Sequence, residues 1–274
     1  MIAVLGANGM AGHMITRFLS SIGHKVIAVA RNNSDINVNF EVINDIDNCI
    51  DTIKNSDIRF VINCIGLLVQ DSISRPDKAV MLNSWLPLYL EYKFKETNVR
   101  IVHISTDCVF DGMVGLYVES DKPSETNIYG KSKAIGEINN NKDITLRTSI
   151  IGPEIKSNGT GLMEWFLNKS GKSVNGWDNA FWSGVTTYEL AKCINKWIEE
   201  PTIFGIYHLT NNTRISKYEL LEMINKTFKA DKIIIKGKAH KSLDKSLVDT
   251  RGNLIFRVNE YHQQFIELKN FMEV

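Results

Sequence analysis

The sequence predicts an α/β protein: a doubly wound parallel sheet followed by a smaller α/β C-terminal part. Three observations carry this. Short β-branched runs alternate with helix-like segments through the first half of the chain. A glycine-rich turn separates the first run from the first helix. The run Phe60-Val-Ile-Asn-Cys64 is almost unbroken in its apolarity, which suits a strand buried on both faces. Strand, helix, strand in this order implies parallel pairing through right-handed crossovers.

Taken in order, residues 2–5 read as the first strand. Residues 10–22 carry apolar side chains at helical spacing, and Gly23 closes that helix. Residues 26–30, 40–43 and 60–64 read as the second, third and fourth strands. Residues 77–95 read as one long helix that Pro87 must kink or restart. Residues 100–105 are the fifth strand and 144–148 a later one. After Gly152-Pro153 the pattern loosens. Residues 161–168 form a short helix, and 172–184, with Trp177, Phe181 and Trp182 among Gly, Asn and Asp, read as a closing loop. The stretch from Thr186 to Leu190 resembles a capping box opening a helix to Glu200. Ser216-Lys-Tyr-Glu219 is a second box, opening a helix to about Phe228. Residues 236–253 read as polar and irregular, and 258–272 as the last helix.

Composition narrows the function. Lys plus Arg number 32 against 31 Asp plus Glu, a net charge of +1, so no field draws nucleic acid or an anionic membrane. At 43% hydrophobic residues the chain is not disordered, and no apolar run is long enough to cross a bilayer. Met1 leads straight into Ile2-Ala-Val-Leu5 with no basic leader or cleavage site, so a cytoplasmic location is expected. Cys49, Cys64, Cys108 and Cys193 are scattered without a CxxC pair, and the histidines lack ligand spacing. Neither a disulfide framework nor a metal site is expected. A homodimer is compatible with the chain.

Gly6-Ala-Asn-Gly9-Met-Ala-Gly12 has GxxGxxG spacing between a strand and a helix. Glycines allow a tight turn and close approach to a pyrophosphate, and the free amides of the helix start supply an anion site. A dinucleotide is therefore expected against Gly6, Asn8, Gly9, Met10 and Gly12. At the end of the second strand, where an acidic residue would hold the ribose of NAD, stands Arg31. Its guanidinium can pair with the 2′-phosphate of NADP, so NADPH is the expected cofactor and NADH the alternative. Asp45 and Ile46 are candidate adenine contacts. Cys64, Ile65 and Gly66, at the end of the fourth strand, would line the nicotinamide side.

Tyr129-Gly-Lys-Ser-Lys133 is a YxxxK, whose spacing puts both side chains on one helix face. An ammonium beside a phenol lowers its pKa, and such a tyrosine exchanges a proton with a carbonyl or alcohol oxygen. Tyr89/Lys93 and Tyr188/Lys192 share the spacing. Only Tyr129 follows a strand ending in hydroxyls, Ser105-Thr106, at the carboxyl edge of the sheet where ligands bind in such folds.

Together these residues resemble the extended short-chain dehydrogenase/reductase family, and within it the dTDP-4-dehydrorhamnose reductase group. The matching pieces are Gly6 to Gly12, His103-Ile-Ser-Thr-Asp-Cys-Val-Phe-Asp-Gly112, Tyr129 to Lys133 with Gly136-Glu137, and Leu146-Arg-Thr-Ser149. The resemblance is strong to about Pro153 and looser over 185–209. It implies a Rossmann-type fold with residues 1–152 binding the dinucleotide, 183–209 returning to that unit, and 153–182 with 210–274 binding substrate. It implies Thr106, Tyr129 and Lys133 as the catalytic triad, with Tyr129 the proton donor and Lys133 also on the nicotinamide ribose. Asn83 matches a helix position that supports the site. The implied reaction is reduction of the C4 keto group of a nucleotide-linked 4-keto-6-deoxy sugar, in surface polysaccharide synthesis.

Asp107, Val109, Trp182 and Arg251 are candidate substrate contacts, with Lys241 and Lys245 further cations for its pyrophosphate. The cluster Trp165, Trp177, Phe181 and Trp182 departs from the rhamnose enzymes, so a UDP-linked N-acetylated 4-keto sugar is an equal candidate. Two other readings compete. One is an epimerase or dehydratase retaining NAD, although Asp107 is followed by Cys108 where dehydratases carry Glu. The other is a non-catalytic subunit like the regulatory subunit of methionine adenosyltransferase.

Overall fold

A computed structural model describes residues 1–155, 161–169, 171–228, 233–238, 242–253, 255 and 257–273. The chain begins β1 (Ile2–Leu5), α1 (Met10–Ser21), β2 (Val26–Ala30), β3 (Ile36–Asn37), α2 (Ile43–Lys54) and β4 (Phe60–Asn63). It continues through α3 (Val69–Ser74), α4 (Pro76–Ala79), a π-helical turn (Val80–Trp85), α5 (Leu86–Phe94), β5 (Arg100–Thr106), α6 (Ile128–Ile135) and β6 (Ile144–Thr148). The remainder holds β7 (Ile150–Ile151), α7 (Leu162–Leu167), β8 (Ser173–Trp177), β9 (Ala180–Trp182), β10 (Val185–Thr186), α8 (Thr187–Glu199) and β11 (Gly205–His208). It ends with β12 (Ile215–Ser216), α9 (Lys217–Thr227), β13 (Ile234–Lys238), β14 (Leu243–Asp244) and α10 (Tyr261–Glu273).

The central sheet is parallel and seven-stranded, in the order β3-β2-β1-β4-β5-β6-β11. Alternating residues of each strand serve opposite faces. Ile2, Val4, Ile62 and Val102 pack against Ile15 and Leu19 of α1 and Leu190, Ile194 and Trp197 of α8. Ala3, Leu5, Val61 and Ile101 pack against Ile46, Ile50 and Ile53 of α2 and Leu86, Leu90 and Phe94 of α5. Both faces are covered, which accounts for the unbroken apolar runs. A third cluster, including Phe166, Trp182, Leu220, Ile224 and Phe265, fills the C-terminal part.

The sequence expectations need three corrections. The third strand is Ile36–Asn37, not 40–43, because Ile43 opens α2. Ile46, Ile50 and Ile53 recur at helical spacing and are wholly buried, so period outweighed β-branching. The expected long helix is present as one continuous run, α4, the π-helical turn and α5, with right-handed helical backbone at each join. Pro87 sits in the first turn of α5, where its missing N–H matters least. The expected loop at 172–184 carries β8, parallel to β13, and β9, which pairs with β12 and β14. Glycine and asparagine hid these short strands. The first expected capping box is half formed. Thr186 caps Glu189 N at 3.2 Å, but Glu189 accepts from Asn259 N at 2.7 Å instead of closing the box. The second box is complete at Ser216 and Glu219. No helix among the described residues is long and apolar enough to cross a membrane.

Candidate active site

The glycine turn leads from the carboxyl end of β1 into α1. Gly6 has φ +80, and a Cβ there would crowd Ile65 Cγ1 at 3.1 Å. A Cβ on Gly12 would lie 2.2 Å from Gly6 O, so only glycine lets α1 pack this closely on the turn. At Gly9 a Cβ would meet only Gly6 O, at 3.3 Å, and Gly9 lines an open cleft. Gly9 is also the N-cap of α1 and supplies no side-chain cap, and the first turn holds no acidic residue. The amides of that turn are left for an anion. This backbone cradle fits a dinucleotide pyrophosphate. Gly12→Ala is expected to destabilise the fold by about 1–3 kcal/mol through overpacking and to weaken dinucleotide binding. Thermal melting with and without the cofactor measures both.

The cleft has a volume of about 620 Å³. Asn8, Gly9, Met10 and Arg31 line one end; Cys64, Ile65 and Gly66 line the middle; Thr106, Asp107, Tyr129 and Lys133 line the other end. Strands β1, β2, β4 and β5 deliver all but Tyr129 and Lys133, which α6 supplies, at the carboxyl ends of the strands, where the order reverses between β1 and β4. Thr106 Oγ1 donates to Asp107 Oδ1 at 3.1 Å and accepts from Cys108 N at 3.1 Å. Tyr129 lines the same end of the cleft as Thr106, whose hydroxyl favours the charged phenolate. Lys133 lies one turn beyond Tyr129 on α6, and its Nζ donates to Ile104 O at 2.7 Å. Asn127 caps α6 by accepting from Gly130 N at 2.9 Å.

The electrostatics correct one expectation. Burial pushes the Tyr129 phenol above its ordinary value, and neighbouring Cys108 and Asp107 add to this, while the Thr106 hydroxyl opposes it. Lys133 faces elsewhere, toward Ile104 O, and does not offset the rise. Its own pKa is pushed down to about 8 by burial, although Glu137 and Cys64 oppose the drop. Burial raises the Asp107 carboxyl, against hydrogen bonds from Thr106 and Cys108. The thiols of Cys64 and Cys108 are pushed up to about 12 by burial. Tyr129 therefore holds its proton at neutral pH, the state a general acid requires.

A rigid shell supports this end of the cleft. The π-helical turn brings Asn83 against the loop after β4. Leu67 N donates to Asn83 Oδ1 at 2.7 Å, and Asn83 Nδ2 donates to Leu67 O at 3.2 Å and to Ser132 Oγ at 3.1 Å. Gly136 permits the approach, since a Cβ there would lie 2.0 Å from Asn83 O. Beneath Thr106, Arg147 grips Glu137 with Nε–Oε1 and Nη2–Oε2 contacts of 2.7 Å each. Ser105 Oγ also donates to Glu137 Oε1 at 2.7 Å. The Glu137–Arg147 pair was not foreseen, although Gly136-Glu137 and Arg147 both stood in the matching segments.

Other candidates lie away from the cleft. Ile46 is core, and half-buried Asp45 accepts from Asn39 N at 3.3 Å. Val109 is buried with Phe110, Tyr117 and Leu247. Trp182 is buried against Tyr261, ring centres 5.3 Å apart, while Trp165 is exposed. Arg251 stacks over Tyr207 at 4.5 Å and donates to Phe204 O at 3.3 Å, by the amino end of β11 and the opposite edge of the sheet. Lys245 pairs with Glu125 at 2.7 Å. Lys241 lies outside the described residues. Among the described residues no acidic, histidine or cysteine group is arranged for a metal.

A doubly wound sheet whose cleft joins a glycine turn to Thr106, Tyr129 and Lys133 is the architecture of the extended short-chain dehydrogenase/reductase type. The chain belongs to the RmlD substrate binding domain family, whose model matches residues 1–249. It is 32% identical to a probable low-salt glycan biosynthesis reductase of Haloferax volcanii over 139 residues, covering 49% of this chain and 46% of that protein. The matched part is thus about half of that relative's length. It is 27% identical to methionine adenosyltransferase 2 subunit beta of Rattus norvegicus over 234 residues, covering 80% of this chain and 69% of that one. The fold matches the crystal structure of dTDP-4-dehydrorhamnose reductase from Bacillus anthracis in complex with NADP. The TM-score is 0.83 at 20% identity, covering 100% of this chain and 99% of that one.

Proposed function

We propose that the protein reduces the C4 keto group of a nucleotide-linked 4-keto-6-deoxy sugar with NADPH, in glycan synthesis. The sugar is dTDP-4-dehydrorhamnose or a UDP-linked N-acetylated analogue. The observation that carries this is the meeting of Thr106, Tyr129 and Lys133 with the Gly6–Gly12 turn and Arg31 in one cleft. In this reading the turn and the amides of α1 hold the pyrophosphate, Arg31 the 2′-phosphate, and Cys64, Ile65 and Gly66 the nicotinamide face. The reduced nicotinamide supplies the hydride when bound. Tyr129, a neutral phenol, gives its proton to the carbonyl oxygen. When the sugar binds, the Thr106 hydroxyl turns its one proton from Asp107 Oδ1 to that oxygen. Lys133 acts as an ammonium at the nicotinamide ribose. Because the Lys133 pKa lies near about 8, kcat/KM is expected to fall as pH rises through about 8. A profile flat from pH 7 to about 9.5 removes this role for Lys133.

The function test is NADPH consumption by purified protein against a panel of dTDP- and UDP-linked 4-keto-6-deoxy sugars. Turnover with one member names the substrate. No turnover, with NAD found tightly bound, favours an epimerase or dehydratase. No turnover, and full cellular function in a Tyr129→Phe strain, favours a regulatory subunit, a reading supported by the likeness to methionine adenosyltransferase 2 subunit beta.

A further inference from the structure

We propose that Glu154 holds the nicotinamide end of the dinucleotide, accepting a hydrogen bond from the carboxamide N–H and facing the ring whose charge changes on oxidation. The proposal rests on reading the cleft as a nicotinamide-dinucleotide site. Glu154 follows β7 and lines the cleft. Its Oε2 is buried and meets no donor among the described residues. A buried carboxylate oxygen without a donor is costly, and folded proteins rarely keep one unless a ligand, ion or water satisfies it.

Its position selects the ligand group. A Cβ built on Gly161 would lie 3.2 Å from Glu154 Oε1 and 2.6 Å from Met10 Cε. The carboxylate and the tip of the Met10 side chain therefore both border Gly161, on the α1 flank of the cleft. A second phosphate cannot be its partner, because like charges repel. It enters from the β6 side of the sheet, whereas Arg31 and Asn8, which donates to Asn32 O at 2.7 Å, lie on the β2 side. The adenosine half belongs with Arg31, so the half beside Glu154 is the nicotinamide riboside. Of its donors, the carboxamide carries two N–H protons and needs an acceptor, whereas each ribose hydroxyl has one proton and accepts from the Lys133 ammonium. A carboxylate acceptor makes that bond charge-assisted. It also favours the cationic oxidised ring over the neutral reduced one.

The test is equilibrium binding by calorimetry, with NADP⁺, NADPH and adenosine 2′,5′-bisphosphate as probes. The last carries the adenosine half without nicotinamide. Glu154→Ala is expected to weaken NADP⁺ binding about tenfold or more, to weaken NADPH less, and to leave the bisphosphate unchanged. Glu154→Gln keeps an acceptor oxygen without charge, so it should retain most NADPH affinity and lose mainly the preference for NADP⁺. Unchanged NADP⁺ affinity in Glu154→Ala, or an equal loss for the bisphosphate, overturns the assignment. So does a loss confined to nucleotide-sugar binding. Wild-type protein that binds neither NADP⁺ nor NADPH overturns the reading of the cleft itself, a result no Glu154 variant can imitate.

Discussion

Replacing Tyr129 with phenylalanine is expected to lower turnover by about 10²–10⁴-fold while leaving dinucleotide affinity close to that of the wild type. The ring occupies the same place, and only the hydroxyl, which lines the cleft with Thr106, is lost. The loss falls on kcat because the proton is needed only as charge develops on the carbonyl oxygen. NADPH oxidation under saturating sugar, together with a cofactor titration, separates the two effects. A variant retaining most of its turnover would transfer the proton-donor role to another group. Asp107 is the nearest alternative, since burial raises its carboxyl and Thr106 connects it to the same oxygen.

Arg147→Met is expected to destabilise the protein by about 3–5 kcal/mol, the usual result of leaving one member of a buried ion pair alone. Arg147 and Glu137 side chains are only 3% and 4% exposed, so water cannot replace the lost partner. In a chain of this size the melting temperature should drop by on the order of 10 °C. Arg147→Met combined with Glu137→Leu should cost less than Arg147→Met alone, because no buried charge then remains. A double variant less stable than the sum of the singles would contradict this account. Glu137→Gln carries a functional consequence too. It removes a charge that holds the Lys133 pKa up, so the activity limb near pH 8 should move to lower pH.

How much of this was legible in the sequence depends on the range of the forces involved. The sheet was readable because Ile2–Leu5, Val26–Ala30 and Ile144–Thr148 carry their own pattern, and burial on both faces removes polar alternation. The glycine turn was readable because Gly6 and Gly12 answer local steric demands. Helix α2 was missed because Phe40 and Ile43 mimic a strand, and only the spacing of Ile46, Ile50 and Ile53 reveals the period. Strands β9 and β14 were missed because two or three residues paired to distant segments carry no periodic signal, and β8 because Asn175 and Gly176 interrupt its five residues. In the cleft, residue types were legible but their electrostatics were not. The direction of the Tyr129 shift depends on burial and on which way Lys133 points. Glu154 could not be singled out, because a missing hydrogen-bond donor is a property of the folded surroundings alone.

The packing of α1 against α8 bears on the order in which the molecule assembles. Phe18 and Leu19 of α1 share one core with Leu190, Ile194 and Trp197 of α8, and His24 meets Asn195 at 2.7 Å. The helix that would receive the pyrophosphate is thus made among the first residues, while its cover arrives some 170 residues afterwards (24 to 195). Until α8 and the edge strand β11 leave the ribosome, one apolar face of the nascent sheet stays wet. Such long-range closure is slow and exposes the chain to aggregation. Affinity for the dinucleotide should therefore appear late and abruptly during synthesis, and nascent chains halted before residue 187, the start of α8, should depend on chaperones and fail to retain the nucleotide.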